Sequence, residues 1–364
     1  MKKNLYADIH VLQTVPPSCI NRDDMGRPKT AVYGGAERAI VSSQAWKHAM
    51  RVQMRENGVL ETGLRTKQVK NKVAAAIAGK DFPAEEADRM AGKVLELLFQ
   101  FDKKKPDEIV TLFFISPQEV DRTAEIAIQY HTALKDNPDK KALEKLTKEY
   151  GDKLKKALSS DVSPDIRLFG RMFADDPDLN VDAAAQVAFA ISTHKVETET
   201  DFYSALDEVK ETPGAGYIDT KEFDSSLLYR YANVDAVQLC DTYHDSTPTV
   251  VREFVRAFVT SMPTGMMNSY ANRNLPGYVC VCLRTDQPVN LVEAFEAPVR
   301  RSDSGFMQPS KEALKQYADN LYSVYGAPAA QIVCEIGAEG SLTWEALLDT
   351  IAVKVGELLG EGSK

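Results

Sequence analysis

The sequence predicts an α+β protein in which a small sheet is split by a helical insertion. Strand-like segments occur near both ends of the chain, and a long block of helical composition fills its middle. Strands alternate with helices on either side of that block. With 364 residues, the chain can form one large domain or two to three smaller ones.

The first elements follow from local patterns. Residues 4–13 alternate apolar and polar side chains, which predicts a strand. Residues 15–35 are rich in Pro, Gly, Asp and Asn, which predicts a long loop. A helix is then expected to follow, with Ser42 or Ser43 as its N-cap.

The helical block covers residues 83–157 and contains one short predicted strand at 109–115. Ser116 and Glu119 have the spacing of a capping box, with Pro117 at the first helical position. Because this block interrupts sequence that is richer in strands on both sides, we interpret it as an inserted helical subdomain.

Beyond the block, residues 183–194 and 226–234 each show a strand pattern, and the first would place Phe189 and Ile191 on one face. The acidic, Gly-rich sequence between them predicts a protruding hairpin with its tip at 213–216. The remaining predicted elements are a helix from Pro248, a buried strand at 277–283, and helices at 290–297, 310–325 and 343–359.

The charge of the chain is unevenly distributed. The whole sequence has 44 Lys and Arg against 53 Asp and Glu, a net charge of −9, which argues against a generic coat for nucleic acid. Residues 1–80, however, contain 14 basic and 6 acidic residues, a net of +8, and the remainder has a net of −17. A local basic surface near the start of the chain is therefore compatible with an acidic total.

Several classes of site lack their sequence signals. The five cysteines are odd in number and show no paired CxxC spacing, so we expect reduced thiols in the cytoplasm rather than disulfides or a zinc site, with Cys280 and Cys282 in the core. No dinucleotide-binding or P-loop motif occurs, so we predict neither a cofactor nor a metal. No apolar run is long enough for a membrane span, and we predict no membrane partner.

The helix expected after Ser42 has a basic face. Gln44, Lys47 and Arg51 fall at i, i+3 and i+7 along it. The free N–H groups at the start of a helix bind anions. Together with them, these three side chains would make a track for successive phosphates. The alternative interpretation is a solvated basic face on an ordinary capped helix.

The preceding loop can lengthen the phosphate track, and it also suggests a second hypothesis. Arg22, Arg27 and Lys29 can continue the phosphate track. Asp23 and Asp24 suggest a metal-dependent nuclease, although these carboxylates can equally brace Arg22 or loop amides.

A third candidate is the segment Tyr229-Arg230-Tyr231. On a strand it places two aromatic rings on one face, and such rings can stack on bases. The alternative is cross-strand packing inside the sheet. We expect His194, at the start of the hairpin, to be structural rather than catalytic.

Together these segments resemble a known family over almost the whole chain. The motifs that carry the resemblance are PSCINRDDM, YGG, SSQAWKHAMR, GRM at 170–172, AISTHKV, EFDSSLLYRYANVDAVQL and GFMQPS. They are similar to those of the CasC family, the backbone subunit of the type I-E CRISPR surveillance complex, Cascade.

The resemblance implies an RRM-like (ferredoxin-like) palm with an inserted helical fingers domain and a protruding β-hairpin thumb. The implied divisions are palm 1–60, fingers 61–180, palm strand 181–194, thumb 195–222 and palm 223–364. The resemblance also implies RNA contacts at Asn21, Arg22, Asp24, Lys29, Ser42, Gln44, Lys47, His48, Arg51, Met172, Ser204 and Ile218. His48 stands where a basic residue is more usual in the family, and residues 264–270 lack the cations of some relatives.

The implied function is non-catalytic. Several copies would assemble in a helical row along a CRISPR guide RNA, together with other Cascade subunits, and present the guide for pairing with target DNA in antiviral defence. Two alternatives remain at this point: the nuclease using Asp23 and Asp24, and a self-assembling scaffold that needs no RNA.

Overall fold

The structure is a computed structural model that describes residues 4–135, 138–206 and 215–361. Its strands are β1 Tyr6–Ser18, β2 Thr30–Tyr33, β3 Ala36–Val41, β4 Leu64–Thr66, β5 Phe113–Ile115, β6 Ala185–Val187, β7 Ala190–Ser192, β8 Glu199–Leu206, β9 Ala215–Asp235, β10 Tyr278–Arg284 and β11 Ala330–Glu335. Its helices are α1 Ser43–Asn57, α2 Val69–Ala78, α3 Ala84–Leu95, α4 Pro117–Lys135, α5 Lys140–Ala157, α6 Pro164–Phe169, α7 Ala236–Tyr243, α8 Thr247–Thr260, α9 Met267–Tyr270, α10 Met307–Tyr325 and α11 Trp344–Glu361. The predicted α+β class is confirmed.

The chain divides into two compact units, residues 1–56 with 185–364 and residues 57–184. In the described part of the first unit, nine antiparallel strands form a sheet in the order β11-β10-β1-β9-β7-β3-β2, with β6 and β8 also paired to β9. β1 is central, because it pairs with β10 along one side and with β9 along the other.

The two faces of this sheet are covered by different helices. On one face, Tyr229 and Cys280 of the sheet pack with Leu314 of α10 in a buried core. Successive side chains of a strand point to opposite faces, and Arg230 accordingly lies on the other side. There its guanidinium is 3.6 Å from the centre of the Trp46 ring of α1.

The second unit contains the helical block. Its core is built from α2, α3, α4, α5 and the short strand β5, which pairs with β4. The capping box is confirmed, since the Ser116 N–H donates to the Glu119 carboxylate at 2.7 Å and the Glu119 N–H donates to the Ser116 hydroxyl at 3.2 Å. The reciprocal bonds satisfy donors that a helix start leaves open.

The expectation of one long loop over 15–35 is wrong at both ends. β1 continues to Ser18 through an irregular pairing after Val15. β2 and β3 form a hairpin whose two-residue turn is Gly34-Gly35, with φ of 58° and 74°. This left-handed pair is the turn that matches the twist of a hairpin. At Gly34 a Cβ atom would lie 1.7 Å from the Glu296 carbonyl oxygen, so only glycine fits there.

Two further predictions need correction. The strand expected at 183–194 is two short strands, β6 and β7, and Phe189 between them is 50% exposed rather than aligned with Ile191. Both strands pair with β9, but the register shifts by one residue between the pair Val187 and Ala232 and the pair Ile191 and Tyr229, which interrupts the alternation of faces at Phe189. The helix expected at 290–297 is a single 3-10 turn, Val292–Phe295.

Other predictions are confirmed. The strand at 277–283 is β10, and Cys280 and Cys282 are buried in it. His194 is structural: its Nε2 accepts the Leu227 N–H at 3.1 Å, and its ring stacks on Phe306 with centroids 3.6 Å apart. Of the predicted hairpin tip, residues 213 and 214 lie outside the described residues, and residues 215 and 216 begin β9.

Candidate nucleic-acid interface

The start of α1 is fixed to the loop before it. The Ser42 hydroxyl accepts the Ala45 N–H at 3.4 Å, which identifies Ser42 as the N-cap. The Ser42 N–H donates to the Asn21 side-chain oxygen at 2.9 Å, and the Asn21 carbonyl accepts the Lys29 N–H at 2.9 Å. Because Ser42 is buried, Asn21 and Ser42 hold the helix start in place.

The outward side of α1 contains the predicted basic face. Its inner side is formed by the buried Trp46, Ala49, Met50 and Met54. The opposite side has exposed Gln44 and His48 with half-buried Lys47 and Arg51. Gln44 and Arg51 are separated by about 10 Å along the helix axis. The basic face, defined as Gln44, Lys47, His48 and Arg51, therefore continues from the helix start for two turns.

Arg230 supports this helix from below, and the base-stacking interpretation of its neighbours is wrong. Tyr229 and Tyr231 are buried, and the Tyr231 hydroxyl donates to Asp8 at 2.8 Å. Arg230 donates to the Gln13 side chain at 2.6 Å, and burial lowers the pKa of its guanidinium to about 9. The aromatic rings therefore belong to the sheet core, where the alternative had placed them.

The loop that carries NRDD is braced by its first aspartate. The Asp23 carboxylate accepts the N–H groups of Met25 and Arg27 at 2.9 and 2.8 Å and lies 3.5 Å from the Arg27 guanidinium. The Arg27 N–H in particular holds the pKa of Asp23 below its ordinary value. Arg22 and Asp24 are exposed. Across 4–135, 138–206 and 215–361, no group of three His, Cys, Asp or Glu side chains is placed to hold a metal ion.

Met172 lies in the second unit and is 82% exposed. The side chain of its neighbour Arg171 is buried. It bonds Glu119 at 2.6 Å and the carbonyl oxygens of Phe114 and Leu179 at 2.9 Å, which fixes the backbone at this point. The arginine of GRM is thus structural, and the methionine is the side chain that the motif presents to solvent.

Ser204 and Ile218 lie directly opposite each other on the hairpin of β8 and β9. Cross-strand partners share a face, and on this face Ile218 is 57% exposed. On the other face the hydroxyl groups of Tyr203 and Tyr217 both donate to Asp219, at 3.2 and 3.0 Å. The side chains on one face of the hairpin therefore bond one another, whereas the face of Ser204 and Ile218 is open to solvent.

One cation of this region was missed by sequence reasoning. The Arg273 guanidinium donates to the Gln53 side chain at 3.2 Å, which brings it beside the last turns of α1. The segment is tied to β1, because Gln13 donates to the Asn274 carbonyl at 2.6 Å. Arg273 is the only Lys or Arg between residues 264 and 283, and this isolated charge was the one sequence feature that could have identified it.

Comparison with known proteins now gives the class. The fold is that of Cas proteins: the chain resembles one from a solved structure described as "CRISPR RNA-guided surveillance complex, pre-nicking", with a TM-score of 0.82 and 30% identity over 96% of this chain and 100% of that one. A second, described as "CRISPR RNA-guided surveillance complex", gives a TM-score of 0.72 and 27% identity over 96% and 99%.

The family follows from a sequence model. The family model described as CT1975-like protein matches residues 7–353. The chain therefore belongs to the CT1975-like family of Cas proteins. No curated protein matches it. Among the described residues, no helix is both long enough and apolar enough to cross a bilayer.

Proposed function

We propose that this protein is a non-catalytic backbone subunit that binds a CRISPR guide RNA in a surveillance complex of the type I-E Cascade kind. The observation that carries the proposal is the basic face of α1, which begins at a capped helix start. The family membership and the likeness to chains of RNA-guided surveillance complexes support it.

The basic face suits a strand whose sequence varies. The open N–H groups of the first helical turn and the charges of Lys47 and Arg51 attract phosphates without reading bases. His48 and Gln44 add hydrogen-bonding groups on the same side. Arg22, Asp24 and Lys29 of the braced loop, and Arg273 beside the last turns of α1, extend this interface in our proposal. Guide sequence is then read only by pairing with target DNA.

The palm, fingers and thumb of the related family supply the rest of the proposal. The first unit would be the palm, the second unit with Met172 the fingers, and the hairpin the thumb. The open face of Ser204 and Ile218 would meet RNA held by a neighbouring copy and displace a base. Several copies and other Cascade subunits would assemble in this way in the cytoplasm.

The proposal is tested by measuring RNA binding against salt for Lys47→Ala and Arg51→Ala. Each lost phosphate contact should weaken binding and reduce the slope of log affinity against log salt by about 0.7. Lys354→Ala, which removes an equal charge from α11, is the matched control and should leave the slope unchanged. Unchanged affinity and slope in both α1 variants would contradict this assignment.

No observation favours the nuclease alternative over this function. Asp23 is engaged by loop amides, and Asp24 is exposed beside it. We therefore retain the non-catalytic function as the proposal.

A further inference from the structure

Asp224 is a buried carboxylate at the base of the hairpin. It lies in β9 opposite Ser18 of β1, and only 7% of its surface is exposed. Within the described stretches of the chain, no group donates a hydrogen bond to its carboxylate and no cation forms an ion pair with it. Its oxygen atoms are not fully enclosed, so the carboxylate is accessible from the cavity beside it and can accept a hydrogen bond from a group that enters.

The Asp224 cavity is small and lies next to the proposed RNA interface. Its volume is about 10 Å³, enough for a single group the size of a water molecule. Asn21 and Lys29 line it, and apolar side chains such as Val15 and Val41 form much of the remaining wall. Asn21 is also the residue whose side chain holds the start of α1.

The chemistry of the cavity restricts what can enter. A carboxylate repels phosphate, and the space is too small for a base. A metal ion would need several further oxygen ligands, and the only other side-chain oxygens that line the cavity are those of Ser226 and of Asn21, which already accepts the Ser42 N–H. A hydroxyl group is the size of a water molecule and donates a hydrogen bond, and in RNA the 2′-hydroxyl is such a group.

We propose that Asp224 accepts a hydrogen bond from a ribose 2′-hydroxyl of the bound strand, so that this interface selects RNA over DNA. The inference rests on the proposed function and deepens it. The basic face of α1 attracts RNA and single-stranded DNA alike, because both have the same phosphates. Asp224 supplies the group that distinguishes them.

The test compares three single strands of one sequence on the purified protein: RNA, DNA and 2′-fluoro RNA. The fluoro strand keeps the sugar conformation of RNA but cannot donate from the 2′ position. Wild-type protein should bind RNA about tenfold more tightly than either of the other strands, as expected for one hydrogen bond to a charged acceptor. Asp224→Leu should bind all three within about twofold.

Two further variants control the comparison. Asp224→Asn keeps an acceptor of the same shape and should retain part of the preference. Asp303→Asn removes an exposed charge elsewhere in the first unit and should retain all of it. Should Asp224→Leu fail to fold, Asp224→Asn decides the matter, because a preference for RNA equal to that of the wild type would overturn the role of Asp224.

The outcomes separate the two proposals. Equal wild-type affinity for RNA and 2′-fluoro RNA, or an unchanged preference in Asp224→Leu, overturns the role of Asp224 and leaves the backbone function standing. Failure of the wild type to bind any of the strands overturns both.

Discussion

Arg171 in the second unit and Arg230 in the first are both buried, yet only Arg171 of the two meets a carboxylate. Arg171 lies 2.6 Å from Glu119, and the same glutamate caps α4 through Ser116. Arg230 has an amide, a carbonyl and two aromatic rings instead, the nearer ring being Trp46. One arginine thus belongs to a charge pair within a core, and the other lies as a lone cation beneath the basic face of α1.

The difference shows that the two buried arginines position the residues around them in different ways. In GRM, the buried Arg171 donates hydrogen bonds to backbone carbonyl groups and so fixes the local backbone, while Met172 stays in solvent. In YRYAN, a desolvated arginine supports the helix that carries Lys47. We expect the first arrangement to be the more sensitive to loss of its cation, because removal leaves a buried unpaired carboxylate.

The largest effect is expected for Arg171→Met. Glu119 would stay buried without its cation, and breaking a buried pair in this way costs about 3 to 5 kcal/mol. Thermal or denaturant unfolding of the second unit measures the loss. The double variant Arg171→Met with Glu119→Gln should recover a large part of it. A single variant as stable as wild type would show that the pair contributes little.

Arg230→Met should have a smaller effect, about 1 to 2 kcal/mol, because no carboxylate is left unpaired and the cost of burying the cation disappears. Packing against Trp46 is preserved by the long apolar side chain. Equal losses for Arg230→Met and Arg171→Met in the same unfolding experiment would remove the distinction between the two arginines.

These contacts also mark how far the sequence could be used for prediction. Local signals identified the cap at Ser42, the capping box at Ser116 and the strand β10, since each depends on neighbouring residues. The base-stacking interpretation of Tyr229 failed because burial depends on which helices cover the sheet. Asp224 gave no signal, because its cavity is made by strands far apart in the chain.

The sequence patterns did not predict helices α2 and α7 or strand β11. α7 has eight residues and follows directly from β9, so its pattern is too short to show a period. β11 has six residues whose burial does not alternate from one residue to the next, so it shows no period of two. Such elements are formed by their neighbours more than by their own pattern.

A buried acid in the same sheet extends the comparison to pH. Asp8 accepts hydrogen bonds from Tyr231 and the Val289 N–H, and burial raises its pKa to about 7, with Arg284 opposing and Asp286 adding to the rise. The folded state therefore holds a proton that the unfolded state has released above pH 4. Stability from Asp8 is present at low pH and is lost as the pH rises through 7.

Asp8→Asn should remove this dependence. Between pH 5 and pH 8, wild-type unfolding free energy should fall by about 2 to 3 kcal/mol from this group, and the variant should show a correspondingly flatter profile. Asp224, whose pKa burial raises to about 6, adds a change of the same sign, so some slope remains. An identical profile for variant and wild type would contradict the assignment to Asp8.

The smallest effect on stability is expected outside both cores, at the hairpin. Deleting residues 205–219 makes Phe202 and Thr220, which already face each other, the last pair of the shortened hairpin. Replacing Tyr203-Ser204 with Asn-Gly then supplies a two-residue turn of the favoured type. Since the open face of the hairpin is exposed, unfolding free energy should change by less than about 1 kcal/mol, while assembly on RNA should weaken strongly. Loss of the folded circular dichroism spectrum would instead show that the hairpin stabilises the sheet as the buried arginines do.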